Sequence, residues 1–264
     1  MRTILLLFFL SSTIQYVSGF CTSSGISVFP SGKTIRPNTI FMVEGYSQSQ
    51  GVIEKLGTTY PVYLINGKTK IRLTVKETLK GGYLLTQAVL IPERPPKKGV
   101  RYTFVIENLP EEEGELTEWN KELKKHEAIV FDVIGSNDTI KPFFSLLPHE
   151  IGKTNVMYGC GPEIWVQFAC HVIDSSECLI KATVKNLSTN NSSTYYIDHG
   201  DSSVSIGHSM CSGAFEIENG KKFEVTFALV DASGNTTEWV GEPIQFTKPE
   251  EAERKKPVVT IEDE

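Results

Sequence analysis

The chain has 264 residues, which is enough for two domains of ordinary size. Hydrophobic residues make up 40% of it and charged residues 22%, as in a globular protein rather than a disordered or membrane-embedded one. The formal net charge is −6 and the pI is about 5.5, so the chain has no excess of basic residues to bind a nucleic-acid backbone. We therefore expect no nucleic acid among its partners.

The N-terminus has the pattern of a secretory signal peptide. Arg2 supplies the positive charge, Ile4–Leu10 the apolar segment, and Val17-Ser-Gly19 the small residues that precede a cleavage site. The apolar segment is too short to cross a bilayer, and no second spanning segment follows it. We expect residues 1–19 to be removed and the protein to be exported to the periplasm or the outer cell surface, without a transmembrane helix.

Cys21 lies just behind the expected cleavage site, which makes lipid attachment an alternative. Bacterial lipoprotein signals place a small residue directly before the modified cysteine, whereas this chain has Phe20 there. Lipidation of Cys21 is therefore kept only as a minority interpretation.

The segment after the leader predicts β-structure. Short alternating strands are separated by turn residues, and Asn66-Gly67 is the dipeptide that best accommodates the positive φ angles of a tight hairpin. No stretch has a long helical period, and residues 116–125 are interpreted as an elaborated loop. The strands expected are 26–29, 39–43, 61–65, 70–75, 86–91 and one starting at Tyr102.

Two stretches of this segment resemble bacterial Ig-like domains. The run from Val28 to Glu44 is similar to their opening Pro-x-x-Gly turn and following strand, and Leu90-Ile-Pro92 with Gly99–Phe104 is similar to their entry into a late strand. The resemblance implies a β-sandwich in an exported protein and brings no catalytic residues with it. The resemblance covers about residues 26–109, within an expected first domain over residues 22–134.

A polar turn at residues 135–139 marks the expected boundary to a second domain, residues 140–247. Ile164, Val166, Phe168, Cys170 and Val172 share one parity, and Cys178, Ile180, Ala182 and Val184 repeat it on the next strand. Further strands are expected at 195–197, 215–217 and 223–229. The fold class is therefore all-β, as two tandem Ig-like β-sandwich domains, followed by a charged disordered tail over 248–264.

One pattern occurs in both expected domains. An alternating strand leads through a polar loop to Thr-Glu-Trp, once from Tyr102 to Trp119 and once from Phe223 to Trp239. We interpret the second copy as closing strands joined by a turn at Asp231–Asn235. Trp119 and Trp239 are expected to be packing anchors.

Four cysteines lie in the second domain: Cys160, Cys170, Cys178 and Cys211. In an exported chain an even set favours two disulfides, and sequence alone permits three connectivities. We expect Cys170 with Cys178, because both face inward on neighbouring strands, and Cys160 with Cys211 by elimination. A zinc site is disfavoured, because paired Cys-x-x-Cys spacings are missing.

No catalytic constellation emerges, and we expect neither enzyme activity, metal nor cofactor. Asp231–Asn235 offers oxygen ligands that suit calcium, but a turn explains them better. Trp165, on the outward parity, is a candidate contact residue whose burial depends on the strand register. The acidic run Glu111, Glu112 and Glu113 is a second candidate contact surface.

The leading functional hypothesis is an exported, non-catalytic Ig-like protein with a binding or structural role at the bacterial cell periphery. Its ligand would be a protein or a glycan at the cell surface. The alternative is a carbohydrate-binding surface module, suggested by Trp165. A cryptic hydrolase or an enzyme inhibitor is the third hypothesis.

Overall fold

The computed structural model describes residues 24–200 and 202–251. The expected signal peptide, Cys21 and most of the expected tail lie outside these residues. The described chain is mostly β, which confirms the all-β prediction. No helix in residues 24–200 or 202–251 is long and apolar enough to cross a membrane.

We call β1–β10 the first unit and β11–β18 the second unit. The elements of the first unit are β1 Gly25–Phe29, β2 Thr34–Ile35, β3 Phe41–Tyr46, α1 Gln50–Ile53, β4 Val62–Asn66, β5 Thr69–Lys80, β6 Leu85–Pro92, β7 Arg101–Ile106, β8 Thr117–Asn120, β9 Lys125–Ala128 and β10 Val130–Val133. Those of the second unit are β11 Phe143–Tyr158, β12 Gly161–Ile173, β13 Cys178–Asn186, β14 Ser192–Ile197, β15 Ser203–His208, β16 Lys222–Asp231, β17 Thr236–Thr237 and β18 Ile244–Thr247.

The first unit is one eight-stranded sheet in the order β1-β3-β6-β5-β4-β7-β10-β2, beside a β8–β9 hairpin. Phe41 in β3 and Phe104 in β7 are four strands apart, so a flat sheet would hold them about 19 Å apart at ~4.8 Å per strand. Their ring centroids are 5.6 Å apart. The sheet therefore folds over on itself, and its inner face encloses a single apolar core.

The second unit consists of two sheets that face each other. One has the order β11-β12-β15, and the other has the order β14-β13-β16-β17 with β18 also paired to β16. The Phe168 ring from the first sheet lies 5.3 Å from Phe227 and 5.9 Å from Phe246, both in the other sheet. The residues predicted to share one inward parity on β12 and β13 line this core, because strand side chains alternate between faces, with the exception of Cys178, which lines a cavity between the units.

Several expectations about the second unit and about the repeated pattern were wrong. Residues 215–217 form no strand, although Phe215 and Ile217 fill the core from an irregular segment. The long edge strand β11 was missed, because its apolar residues lack a clean alternation. Trp239 packs into the second core as expected, but Trp119 lies on an exposed hairpin with 53% of its surface accessible.

The connection at residues 135–139 is bonded to both units. The carbonyl of Asp138 accepts hydrogen bonds from Asn38 at 2.8 Å and from Asn235 at 3.2 Å, and the Asp138 side chain is buried. A polar turn in the sequence indicated a boundary between units. In the structure this turn is hydrogen-bonded to both units.

Candidate functional site

The two units meet along the outer face of β3 and β6. Because strand residues alternate, Met42, Glu44 and Tyr46 point away from the first core, and they lie beside Val89, Gln87 and Leu85 of β6 in antiparallel register. Met42 and Val89 pack against three buried residues of the second unit, Leu179, Tyr196 and Val230. We call this set of five residues the sealed cluster.

Gln87, next to the sealed cluster, joins the first unit to the edge of β14. Its side-chain amide donates to the Tyr196 carbonyl at 3.1 Å, and its side-chain oxygen accepts from the Tyr196 N–H at 3.3 Å. The side chain thus takes the place of a neighbouring strand at an edge that would otherwise present unpaired backbone groups. The pair is buried, which fixes the spacing between the units at this point.

The β5–β6 hairpin tip forms a second attachment. Tyr83 exchanges two backbone hydrogen bonds with Gly213, at 3.0 and 2.7 Å, and Gly82 donates to the Ala214 carbonyl at 2.8 Å. A Cβ at Gly82 would collide with the backbone of Glu216, so only glycine permits this approach.

Between these attachments the units leave a cleft. It consists of two adjoining cavities of about 500 and 520 Å³, which share Glu44, Tyr196 and Asp198 as lining residues. We call the larger one the aromatic cavity, lined by Tyr46, Trp165, Tyr195 and Tyr196, and the other the acidic cavity, lined by Asp174 and Glu177. Together they form the inter-unit cleft, of a size that suits a small-molecule ligand.

Tyr195 and Glu44 face each other across the aromatic cavity from different units. Tyr195 is 1% exposed, and its hydroxyl lies close to the Glu44 carboxyl without forming a hydrogen bond of good geometry. Burial and the nearby Glu44 charge raise the pKa of Tyr195. Burial also raises the pKa of Glu44, and interaction with Tyr195 only partly offsets that effect. The cavity therefore holds a buried hydroxyl and a half-buried carboxyl that protein groups do not fully satisfy.

The acidic cavity contains a second unsatisfied group. The Asp174 Oδ1 accepts the Ser176 N–H at 2.6 Å, whereas its Oδ2 is buried and has no partner within the described chain. Burial and the charge of Asp138 raise the pKa of Asp174. Glu177, by contrast, accepts hydrogen bonds from Ser31 and Gly32 at 2.6–2.9 Å and ties the turn before β13 to the first unit.

Behind this cavity lies a cluster of three carboxylates that the sequence did not reveal. Asp138 and Asp174, from two loops, and Asp231, at the end of β16, place oxygens within 4.8 Å of one another. Asp138 accepts from Ser176 at 2.6 Å, which is the main cause of its lowered pKa, whereas burial raises the pKa of Asp231. Most of these oxygens accept hydrogen bonds from the chain, so the cluster holds the loops together.

The segment Asp231–Asn235 is a turn, as expected. The Asp231 Oδ1 accepts the N–H groups of Ser233 and Asn235, both at 2.8 Å, and Gly234 adopts a φ of +81°. These are the bonds of an Asx-type turn between β16 and β17. The sequence suggested calcium ligands within Asp231–Asn235 only. The carboxylates that lie near Asp231 in the structure are those of Asp138 and Asp174, which are distant in the chain.

Neither predicted disulfide forms. Cys160, Cys170 and Cys178 are free thiols, and Cys211 is disulfide-bonded but not to its expected partner Cys160. Cys170 and Cys178 flank a short turn, but this turn carries the chain from one sheet to the other, so the residues are not cross-strand neighbours. The assumption that consecutive strands pair was the source of the error.

Of the other candidate contact residues, Trp165 lines the cleft and Glu111, Glu112 and Glu113 do not. Trp165 is half-buried and lines the aromatic cavity, where sequence parity had left its exposure open. Glu111, Glu112 and Glu113 form a short 3₁₀ turn that lines neither cavity, and Glu113 accepts a hydrogen bond from the buried Ser49 at 2.8 Å. The cleft itself escaped sequence reasoning, because its walls come from strands far apart in the chain.

No protein-family model and no curated protein sequence matches the chain. Among solved structures it has a weak likeness to a pullulanase from Bacillus subtilis, at 9% identity and a TM-score of 0.25, over 80% of this chain and 23% of that one. PorU from Porphyromonas gingivalis is similar at 14% identity and a TM-score of 0.28, over 85% and 20% respectively. The chain thus spans under a quarter of these proteins, and scores this low do not establish a shared fold.

Proposed function

We propose that this is an exported, non-enzymatic binding protein of two Ig-like β-units, whose ligand occupies the inter-unit cleft. The observation that carries the proposal is the Tyr195 hydroxyl, which is buried, lines the aromatic cavity and has only the Glu44 carboxyl beside it, without a well-formed hydrogen bond. An unsatisfied buried polar group costs about 1–3 kcal/mol, and a ligand that bonds to it would offset that cost.

The rigid connection between the units supports the same proposal. Gln87 and the Tyr83–Gly213 bonds hold the cleft walls in a fixed relation, and a preformed site spends less binding energy on ordering its residues. A cleft between units is also a common place for ligand sites.

A screen of small metabolites and oligosaccharides by thermal shift tests the proposal. Ser205→Trp would fill the aromatic cavity from β15, and Ser188→Trp adds the same side chain to an exposed loop away from it. We expect ligands that raise Tm in the native protein and in Ser188→Trp but not in Ser205→Trp. Ligands that keep their effect in Ser205→Trp, or turnover of any compound that binds, would overturn the proposal.

Carbohydrate binding is a second candidate function. It is favoured by Trp165, whose ring lines the aromatic cavity together with Ser203, Ser205, Ser209 and Ser212. Aromatic rings stack on the apolar faces of sugars while hydroxyl groups bond their edges. A glycan array should show binding that Trp165→Ala abolishes, and an array without signal would remove this candidate.

A further inference from the structure

The charge of the cleft lining bears on the chemistry of its ligand, and this inference rests on the proposed binding function. Glu44 and Asp198 line both cavities, and Asp174 and Glu177 line the acidic one. No lysine or arginine lines either cavity within the described chain, and His199 is the single titratable base that does. The whole chain carries 26 lysine and arginine residues against 32 acidic ones, so the cleft is much more acidic than the chain on average.

These carboxylates have no cationic partner in the described structure. None of the nine ion pairs in residues 24–200 and 202–251 includes Glu44, Asp174, Glu177 or Asp198. Glu177 is satisfied by backbone and hydroxyl donors, but the buried Oδ2 of Asp174 is not. A carboxylate only accepts hydrogen bonds, so what the cleft lacks is a donor, and a charged donor bonds it most strongly.

The aromatic cavity adds surfaces that attract positive charge. The faces of tyrosine and tryptophan rings carry negative potential, and a cation within about 6 Å of a ring centroid is stabilised. The ring of Tyr196 already interacts in this way with Lys181, whose Nζ lies 5.3 Å from its centroid, although Lys181 lines a different cavity. Tyr46 and Trp165 line the aromatic cavity with no lysine or arginine beside them.

We propose that the inter-unit cleft binds a small organic cation, a molecule that carries at least one protonated amine beside Glu44 and the aromatic rings. The hydroxyl of Tyr195 accepts a hydrogen bond from the ligand, and the two adjoining cavities leave room for an extended molecule with a second amine near Asp174. An anionic ligand is disfavoured because it would face uncompensated carboxylates on every side.

Titration calorimetry with spermidine tests this inference, with maltotriose as a neutral ligand. Glu44→Gln keeps the shape of the side chain and removes its charge, and Glu122→Gln does the same at an exposed position in the β8–β9 hairpin. We expect spermidine to bind the native protein, to bind Glu44→Gln about 10–100-fold more weakly, as for a lost charged hydrogen bond, and to bind Glu122→Gln unchanged. Added NaCl should weaken the binding, because the contact is ionic.

The outcomes separate this inference from the proposed function. Equal spermidine binding by Glu44→Gln and the native protein would mean non-specific attraction to an acidic surface and would overturn the inference. If the protein binds maltotriose but not spermidine, and Trp165→Ala abolishes that binding, the inference is overturned but a ligand site in the cleft is supported. Absence of binding to either probe would also overturn the inference, and the Ser205→Trp screen would then decide the proposed function. Circular dichroism of each variant confirms that it is folded.

Discussion

Two stretches of the same strand face behave in opposite ways. Met42 and Val89 are almost fully buried in the sealed cluster, whereas Glu44, only two residues from Met42 on β3, lines an open cleft. Apolar side chains exclude water and hold the units together at one end of the face. Polar and aromatic side chains at the other end are left available to a ligand. Met42, Leu179, Gln87 and Tyr196 also line the acidic cavity, so residues that attach the units form part of the cleft wall as well.

The largest expected effect comes from breaking the sealed cluster. Met42→Ala should lower the free energy of unfolding by about 2–5 kcal/mol, because a buried methionine is replaced by a cavity between the units. Urea denaturation measures the change. Val240→Ala, at a residue 94% exposed, is the control and should leave stability unchanged. An equally small effect of Met42→Ala would show that the units do not depend on this contact.

The Gln87 side chain bonds the first unit to Tyr196 beside the cleft. Its loss tests whether the cleft depends on this bond between the units. Gln87→Ala removes two hydrogen bonds to the Tyr196 backbone and leaves those buried groups without partners. We expect a loss of about 1–3 kcal/mol in unfolding free energy. Hydrogen exchange should show faster exchange at the Tyr196 amide. Gln48→Ala, an exposed position in the same unit, should change neither quantity.

Replacement of Glu44 should raise the free energy of unfolding, whereas replacement of Met42 or Gln87 should lower it. Burial raises the pKa of Glu44 in the folded state, so its ionised form opposes folding, and stability from this group is lost as pH rises through the raised pKa. Glu44→Gln should therefore make the ligand-free protein slightly more stable at pH 7. The gain should shrink as the pH falls and vanish about one pH unit below the usual glutamate pKa of ~4.3, where the carboxyl is protonated in both states. A loss of stability at pH 7 would show that Glu44 has a structural role.

The smallest expected effect is a difference in alkylation rate among the cysteines. Burial raises the pKa of Cys170 in the second core to about 11, and burial with nearby acidic groups raises that of Cys178 at the acidic cavity to about 12. Both thiols should resist alkylation at neutral pH, because the thiolate is the reactive form, while the half-buried Cys160 reacts first. Alkylation of denatured, unreduced protein followed by mass spectrometry should label these three cysteines and not Cys211. Labelling of Cys211 would contradict its assignment as a disulfide cysteine.

Local patterns were sufficient to predict much of the fold. The alternation of Ile164, Val166 and Phe168 placed them in the core. The Asn66-Gly67 dipeptide marked the position of the β4–β5 hairpin, although Asn66 ends β4 and only Gly67 has a positive φ. Both rest on interactions between residues close in the chain, namely strand pleating and turn conformation. The β11 strand was missed because its exposed edge and register shifts remove that alternation.

The sequence by itself determined the all-β class and the inward faces of the central strands, because side-chain alternation is a property of each strand alone. Which strands share a sheet was decided only by the tertiary structure, and so was the state of Cys170 and Cys178, which flank a turn between sheets. The cleft had no local signal at all. Glu44 lies more than a hundred residues before Trp165 and Tyr195 in the chain. These residues line one cavity only because the two units dock, and that docking depends on long-range packing.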